Sequence, residues 1–376
     1  MKFVIAPDKY KGSLTAFQIC DAVEKGVRMV FRDAKITRLP LADGGDGTIE
    51  VVRYYLKGEK ISLSVSDPLF RPVQASYLYS AKAQTAYIEM AEASGLKLLE
   101  EHEKNCLLTT TVGTGELLLD ALDKGARKII LGIGGSATND AGMGMATVLG
   151  YRFLDAHGKE LEPIGSNLEQ VAEIDTSSVD SRIRTVTIRV ACDVSNPFYG
   201  KDGAAYVYAA QKGATDKEID QLDQGLRNFA SVLKRTFKVE IQEIPGSGAA
   251  GGMGAAAVVF LHAELKSGIN LVKELAGFEE EIRDADWIIT GEGKLDEQTL
   301  AGKTISGVVT SAKKFNIPVA AFCGALGISI KHQEAIGLTY AVSILQDTGG
   351  LQEALLSSEQ NLVHAVYNWA NLLRHS

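Results

Sequence analysis

The segment Leu41-Ala42-Asp43-Gly44-Gly45-Asp46-Gly47-Thr48 excludes more conformations than any other stretch of the chain. A helix interior loses about 1 kcal/mol at each glycine, and aspartate is almost never fully buried without a partner. The segment is therefore a loop. An apolar run, 36–41, precedes it, and the helix-like Thr48-Ile49-Glu50-Val51-Val52 follows. A loop at the carboxyl end of a strand is where open α/β sheets bind ligands. Its two carboxylates suit holding a divalent metal, aligning a hydroxyl or taking a proton. The spacing alone favours a tight turn whose aspartates cap the helix.

The plan occurs twice at the start of the chain. Residues 2–6 read as a short buried strand, and Pro7-Asp8-Lys9-Tyr10-Lys11-Gly12-Ser13 leads into a helix. That helix carries Phe17, Cys20, Ala22, Val23, Val27 and Val30 on its apolar side, with Thr15 or Ser13 as its cap. Lysine beside a helix N-terminus suits an anion, because amide donors and the positive dipole end point the same way. A solvated surface lysine fits equally well.

Length now matters, because 376 residues exceed one ordinary domain and imply two. Strict alternation over 60–65, and over parts of 73–79 and 85–90, marks half-buried antiparallel strands. A domain change is placed near Ser66, and the α/β pattern of the N-terminus returns near Glu279. A net charge of -8 argues against nucleic acid or an anionic membrane as the main partner. Four cysteines without a C-x-x-C pair indicate neither a zinc site nor a disulfide framework. The opening 1–7 is too short for a secretory signal, and the uncharged 245–261 is too short and too rich in glycine to span a membrane. A cytoplasmic location is expected.

Two glycine runs resemble dinucleotide fingerprints. Gly132-Ile133-Gly134-Gly135-Ser136-Ala137 follows a strand at 128–131, and Gly246-Ser247-Gly248-Ala249-Ala250-Gly251 follows a strand-like 239–244 and opens a helix over 253–265. Neither has a second strand ending in an acid about twenty residues on, so both fingerprints are incomplete. Backbone amides approaching an anion, or close helix–strand packing, explain them equally. Between them the strand 190–193 ends in Asp193, with Asn196 shortly after, where either a general base or a turn cap would stand. Near the C-terminus a strand over 286–290 runs into Gly291-Glu292-Gly293-Lys294-Leu295-Asp296, with Gly302-Lys303-Thr304 beyond. The spacing is not that of a P-loop, yet Glu292, Lys294, Asp296 and Lys303 gather at one strand end, which favours a site. The stripe Leu222, Leu226, Phe229, Val232, Leu233 and the indole of Trp369 read as core.

Taken together and in order, these blocks resemble the type 1, bacterial glycerate kinase family. The blocks are Pro7-Asp8 through Ser13, the 42–48 loop, Gly113-Thr114-Gly115-Glu116, 134–140, Cys192-Asp193-Val194 with Asn196-Pro197, 245–254, and Thr290 to Gly293 with Asp296 and Gln298. The likeness runs from about Phe3 to Leu373; Tyr10 stands where phenylalanine is expected. It implies an α/β fold of two domains: a flavodoxin-like one from both chain ends (1–65 and 280–376) and an inserted, restriction-enzyme-like α/β one (66–279). It further implies ATP- and Mg2+-dependent phosphorylation of D-glycerate, on the 2-hydroxyl rather than the 3-hydroxyl, by a monomer or homodimer with no nucleic-acid or membrane partner. A nicotinamide-dependent oxidoreductase of a small hydroxy acid and a non-catalytic binding protein for a small acid are the rival readings.

Phosphoryl transfer needs neutralised phosphates, a metal and an aligned hydroxyl. On that resemblance Asp193 is the expected base or aligner, with Lys11 and Asp8 also in the catalytic set. Asp43 and Asp46 are the expected metal ligands. Gly134, Gly135 and Ser136 are expected at phosphate, and Gly291, Glu292, Lys294 and Asp296 at the nucleotide.

Overall fold

The computed structural model describes residues 1–45, 47–296, 304–346 and 350–375. Contacts divide the chain into two compact units, Met1–Tyr55 with Ser267–Ser376, and Leu56–Lys266.

The first unit is built on five parallel strands, in spatial order Tyr340–Ser343, Val319–Cys323, Trp287–Thr290, Lys2–Ile5 and Lys35–Arg38. Numbered within this unit the order is 2-1-3-4-5, that of flavodoxin-like doubly wound sheets. The order reverses where Lys2–Ile5 meets Trp287–Thr290, pairing Phe3 with Trp287 and Ile5 with Ile289. Short apolar runs suit this place: Phe3, Val4, Ile5, Ile288 and Ile289 are wholly buried. Helix Ala16–Val30 starts at Thr15, whose side chain accepts from the Gln18 N–H while Gln18 reaches back to the Thr15 N–H. It packs on the C-terminal helix Leu351–His375. A Cβ at Gly26 would lie 2.9 Å from the Val363 carbonyl, so glycine sets that close approach. Trp369 is buried at the centre, its ring edge-on to Phe3, Trp287 and Phe322.

The second unit holds a six-stranded sheet in the order Glu264–Lys266, Thr187–Ala191, Lys128–Gly132, Thr85–Glu89, Pro72–Ser80, Glu59–Ser66. The first four are parallel and the last three antiparallel, so Thr85–Glu89 belongs to both halves. The alternation read at 85–90 therefore gives only one of this strand's two pairings. Glu59–Ser66 pairs along its whole length with Pro72–Ser80, and both chain crossings fall earlier than the composition changes near Ser66 and Glu279.

Two expected elements differ. Residues 239–244 are not a strand: Ile241–Glu243 is a 3-10 turn, held by Gln242, whose side chain bonds both the N–H and the C=O of Tyr199. The helix expected over 253–265 spans Ala249–Phe260, with left-handed backbone at Ala250, Gly251 and Gly252, and the chain then forms the edge strand Glu264–Lys266. Helix Asp216–Phe237 buries Leu222, Leu226, Phe229, Val232 and Leu233, as its stripe demands. Among the described residues, no helix is long and apolar enough to cross a membrane.

Candidate functional site

In the first unit a cleft of about 470 Å³ opens at the carboxyl ends of the strands, at the reversal point of the sheet. Lys2–Ile5 runs out into Asp8, Trp287–Thr290 into Glu292, and Lys35–Arg38 into Asp43. Asp8, Lys11, Asp43, Glu292, Lys294 and Asp296 all line this cleft. Gly291 sits beneath it, where a Cβ would lie 2.0 Å from the Phe322 carbonyl; this glycine serves strand packing.

Asp8 is buried. Its Oδ2 accepts from the Thr304 hydroxyl at 2.7 Å and its Oδ1 from the Lys9 N–H at 2.7 Å. Burial pushes its carboxyl up to about 6; the Thr304 bond opposes that rise and the charge of Asp43 adds to it. Asp43 Oδ1 in turn accepts from the Gly45 N–H at 3.1 Å, fixing the acidic loop. Tyr10 is buried and donates to the Phe322 carbonyl at 2.7 Å, which gives its hydroxyl a use that phenylalanine lacks. Lys294 pairs with Asp296 at 3.3 Å in an exposed ion pair, worth little to stability. Facing these groups is an apolar wall of Ile344, Leu345, Leu351, Ala354 and Leu355. The cleft therefore offers carboxylates, ammonium groups and apolar surface to one ligand.

Among the described residues, no three His, Cys, Asp or Glu side chains converge as a metal cage. Asp46, Gln298 and Lys303 lie outside the described residues. Mg2+ needs only one or two carboxylates, since water and phosphate complete its shell. Asp8 and Asp43 fit it: they are hard oxygen donors near enough that one raises the other's pKa.

The second unit brings the other expected residues to its own sheet edge. Glu89, Gly132, Ala191 and Lys266 lie side by side at the ends of its four parallel strands. Beyond Gly132 comes the exposed turn of Gly134 and Gly135, then buried Ser136. Beyond Ala191 comes the exposed Asp193. The 246–252 segment joins the two loops. Gly248 N–H donates to Asn196 O at 3.0 Å, and a Cβ at Gly251 would lie 2.1 Å from Thr138 O. Neither glycine run has the dinucleotide geometry, because helix Met143–Val148 starts well beyond 132–137 and the 3-10 turn Ile241–Glu243 stands before Gly246 in place of a strand.

Sequence reasoning missed four side chains. Thr304 holds Asp8 across 296 positions, and Glu89 is a half-buried carboxyl, raised by its burial, beside Gly132. Lys212 is buried and donates to Ser136 Oγ at 2.8 Å and to Thr138 O at 2.7 Å. Asn139 is wholly buried, and among the described residues both ends of its amide lack a hydrogen-bond partner. No local pattern marks Glu89 or Lys212; Thr304 ends the Gly302-Lys303-Thr304 run and Asn139 lies inside the 134–140 block, so these two stand near recognisable motifs.

The sequence profile of the glycerate kinase family matches residues 3–374. A glycerate 2-kinase of Escherichia coli K12 is 45% identical over 375 residues, which is 99% of this chain and 98% of that protein. A glycerate kinase of Halalkalibacterium halodurans is 46% identical over 367 residues, 98% of this chain and 97% of that one. A crystal structure from Salmonella typhimurium LT2, assigned as glycerate kinase 2, superposes with a TM-score of 0.88 at 43% identity, covering 100% of this chain and 98% of the other.

Proposed function

The chain belongs to the glycerate kinase family, a family of phosphotransferases, and from that premise we propose that it moves the γ-phosphoryl group of ATP to the 2-hydroxyl of D-glycerate, giving 2-phospho-D-glycerate and ADP. One observation carries the reading within the molecule: carboxylates, lysines and an apolar wall line a single cleft at the reversal point of the first unit's sheet. A nucleoside triphosphate with its metal has that mixed chemistry. The choice of the 2-hydroxyl is supported by the name of the Escherichia coli relative. The 3-hydroxyl, giving 3-phosphoglycerate, is the alternative.

Mg2+, when bound, neutralises charge on the β- and γ-phosphoryl oxygens. Asp43, with Asp8 beside it, would hold the ion, and Asp46 is the further ligand expected from sequence. Lys11 balances phosphate charge from the exposed side of the cleft. Glu292, Lys294 and Asp296 contact the nucleotide. In the second unit the amides of Gly134 and Gly135 and the Ser136 hydroxyl receive an oxyanion. Asp193 orients the glycerate hydroxyl and takes its proton as oxygen attacks the γ-phosphorus, while the bond to the β,γ-bridging oxygen breaks and ADP leaves.

Phosphorus NMR of the protein with Mg-ATP and D-glycerate tests this directly. A new phosphomonoester signal that grows on adding authentic 2-phosphoglycerate is the expected result. Coincidence with 3-phosphoglycerate would move the reaction to the other hydroxyl. Unchanged ATP with D-glycerate present would overturn the assignment.

A further inference from the structure

The 134–136 turn has an unusual surplus of donors. Gly134 and Gly135 are exposed, Gly135 has φ +72, and a Cβ on Gly134 would meet nothing within 4 Å. Among the described residues no acceptor meets the N–H of Gly134, Gly135 or Ser136. The turn is nonetheless held from its side: Leu96 N–H donates to Gly135 O, and Ala137 N–H to Ser94 O, both at 2.9 Å. Consecutive unpartnered amides on a fixed backbone make a concavity for an anion.

Beneath the turn lies Lys212. A buried ammonium is costly unless an anion is paired with it. Both hydrogen-bond partners of Lys212 are neutral oxygens. Asp140, the nearby carboxylate, gives its own oxygens to Thr111, Gly142 and Gly144. Because the ammonium donates to Ser136 Oγ, the hydroxyl hydrogen of Ser136 is left to point elsewhere, and a charge-assisted chain polarises it. Asn139 and the Thr138 hydroxyl, both buried and without a hydrogen-bond partner among the described residues, extend the polar set.

We propose that Lys212 charges the 134–136 turn as an oxyanion site, acting through the Ser136 hydroxyl, and is thus a positioning residue for phosphoryl transfer. This rests on the glycerate kinase reading and adds to it the cation that the glycine turn itself lacks. The oxyanion is either the triphosphate of the nucleotide or the carboxylate of glycerate.

The test uses Lys212→Met, Ser136→Ala and the double variant, each checked for folding by circular dichroism. Calorimetric titration with inorganic pyrophosphate and with D-glycerate reads binding without turnover, and KM is measured separately for ATP and D-glycerate. Each single variant is expected to weaken one of the two ligands by tenfold or more, with the double variant no worse than Lys212→Met. Loss of pyrophosphate affinity with a raised KM for ATP assigns the triphosphate; loss confined to D-glycerate assigns the carboxylate. Burial lowers the Lys212 ammonium to about 8, with the Cys106 thiol and Asp140 facing it and opposing that shift. The affected ligand should therefore bind more weakly above about pH 8 in the unaltered protein and lose that pH dependence in Lys212→Met. Folded variants that bind both ligands within twofold of the unaltered protein, or single effects that simply add, would overturn the proposal. Should Lys212→Met fail to fold, Ser136→Ala decides alone. Absence of product from the unaltered protein with pyrophosphate binding intact would sink the kinase reading and leave the site standing.

Discussion

Both units end their parallel strands in ligand-competent loops, yet the two edges carry different chemistry. The edge of the first unit presents carboxylates: Asp8, Asp43 and Glu292 follow three neighbouring strands. The corresponding edge of the second unit presents glycine amides with a buried ammonium behind them. The first, with Lys9, Lys11 and Lys294 among its carboxylates, suits an anion that arrives with its cation, and the second suits an anion alone, although both lie at the carboxyl ends of parallel strands. The fold supplies the place and the loop residues supply the sign.

Asp193 and Glu89 are carboxylates on this donor-rich edge, and replacement of the exposed Asp193 should do the most damage. Asp193→Asn is expected to lower kcat by at least about a hundredfold if it takes the proton. Near-normal kcat in the folded variant would leave that edge purely anion-binding. Asp43→Asn tests the acidic edge: the Mg2+ concentration for half-maximal rate should rise by about tenfold, and an unchanged requirement would remove Asp43 from the metal shell. Gly251→Ala attacks the packing that joins the second unit's loops. A Cβ at φ +70 and 2.1 Å from Thr138 O should cost about 2–4 kcal/mol in denaturant unfolding.

The two edges should also respond oppositely to pH. Asp8 has its pKa raised to about 6, so the native state holds its proton more tightly than the unfolded chain does. Stability is then lost as pH rises from about 4 to about 6, by about 2–3 kcal/mol, and Asp8→Asn should abolish that slope in EDTA. Lys212, lowered to about 8, works the other way. The native state sheds that proton first, so stability is gained as pH rises from about 8 towards about 10. Thermal melts across both windows check the pair, and parallel slopes would erase the distinction. The smallest effect is expected at Lys294→Ala, below about 0.5 kcal/mol in stability, because its ion pair with Asp296 is exposed.

The acidic cleft was largely legible in the sequence because Glu292, Asp8 and Asp43 stand two, three and five positions beyond short strands, and that spacing is local. The Thr15 cap, the Leu222 to Leu233 stripe and the buried Trp369 were legible for the same reason. What depends on distant partners was not. Lys212 becomes meaningful only beside Ser136, 76 positions away, and Thr304 only beside Asp8. Period-two patterning found Thr85–Glu89 but not its parallel partner, because a strand shared by two kinds of pairing shows one alternation. Residues 239–244 misled because β-branched and apolar residues fit a strand locally, while Gln242 secures a turn by bonding Tyr199.

The seam between Lys2–Ile5 and Trp287–Thr290 has a consequence for the order in which the protein is made. Thr290 bonds Ala6 across 284 positions, so the first unit's central strand pair cannot form until most of the chain has left the ribosome. The inserted unit is continuous and is fully synthesised earlier, free to collapse on its own. Its completion also shortens the effective gap between the waiting N-terminal strand and its late partner, lowering the entropy of closing that loop. Asp8, translated 296 residues before its partner Thr304, is therefore seated late.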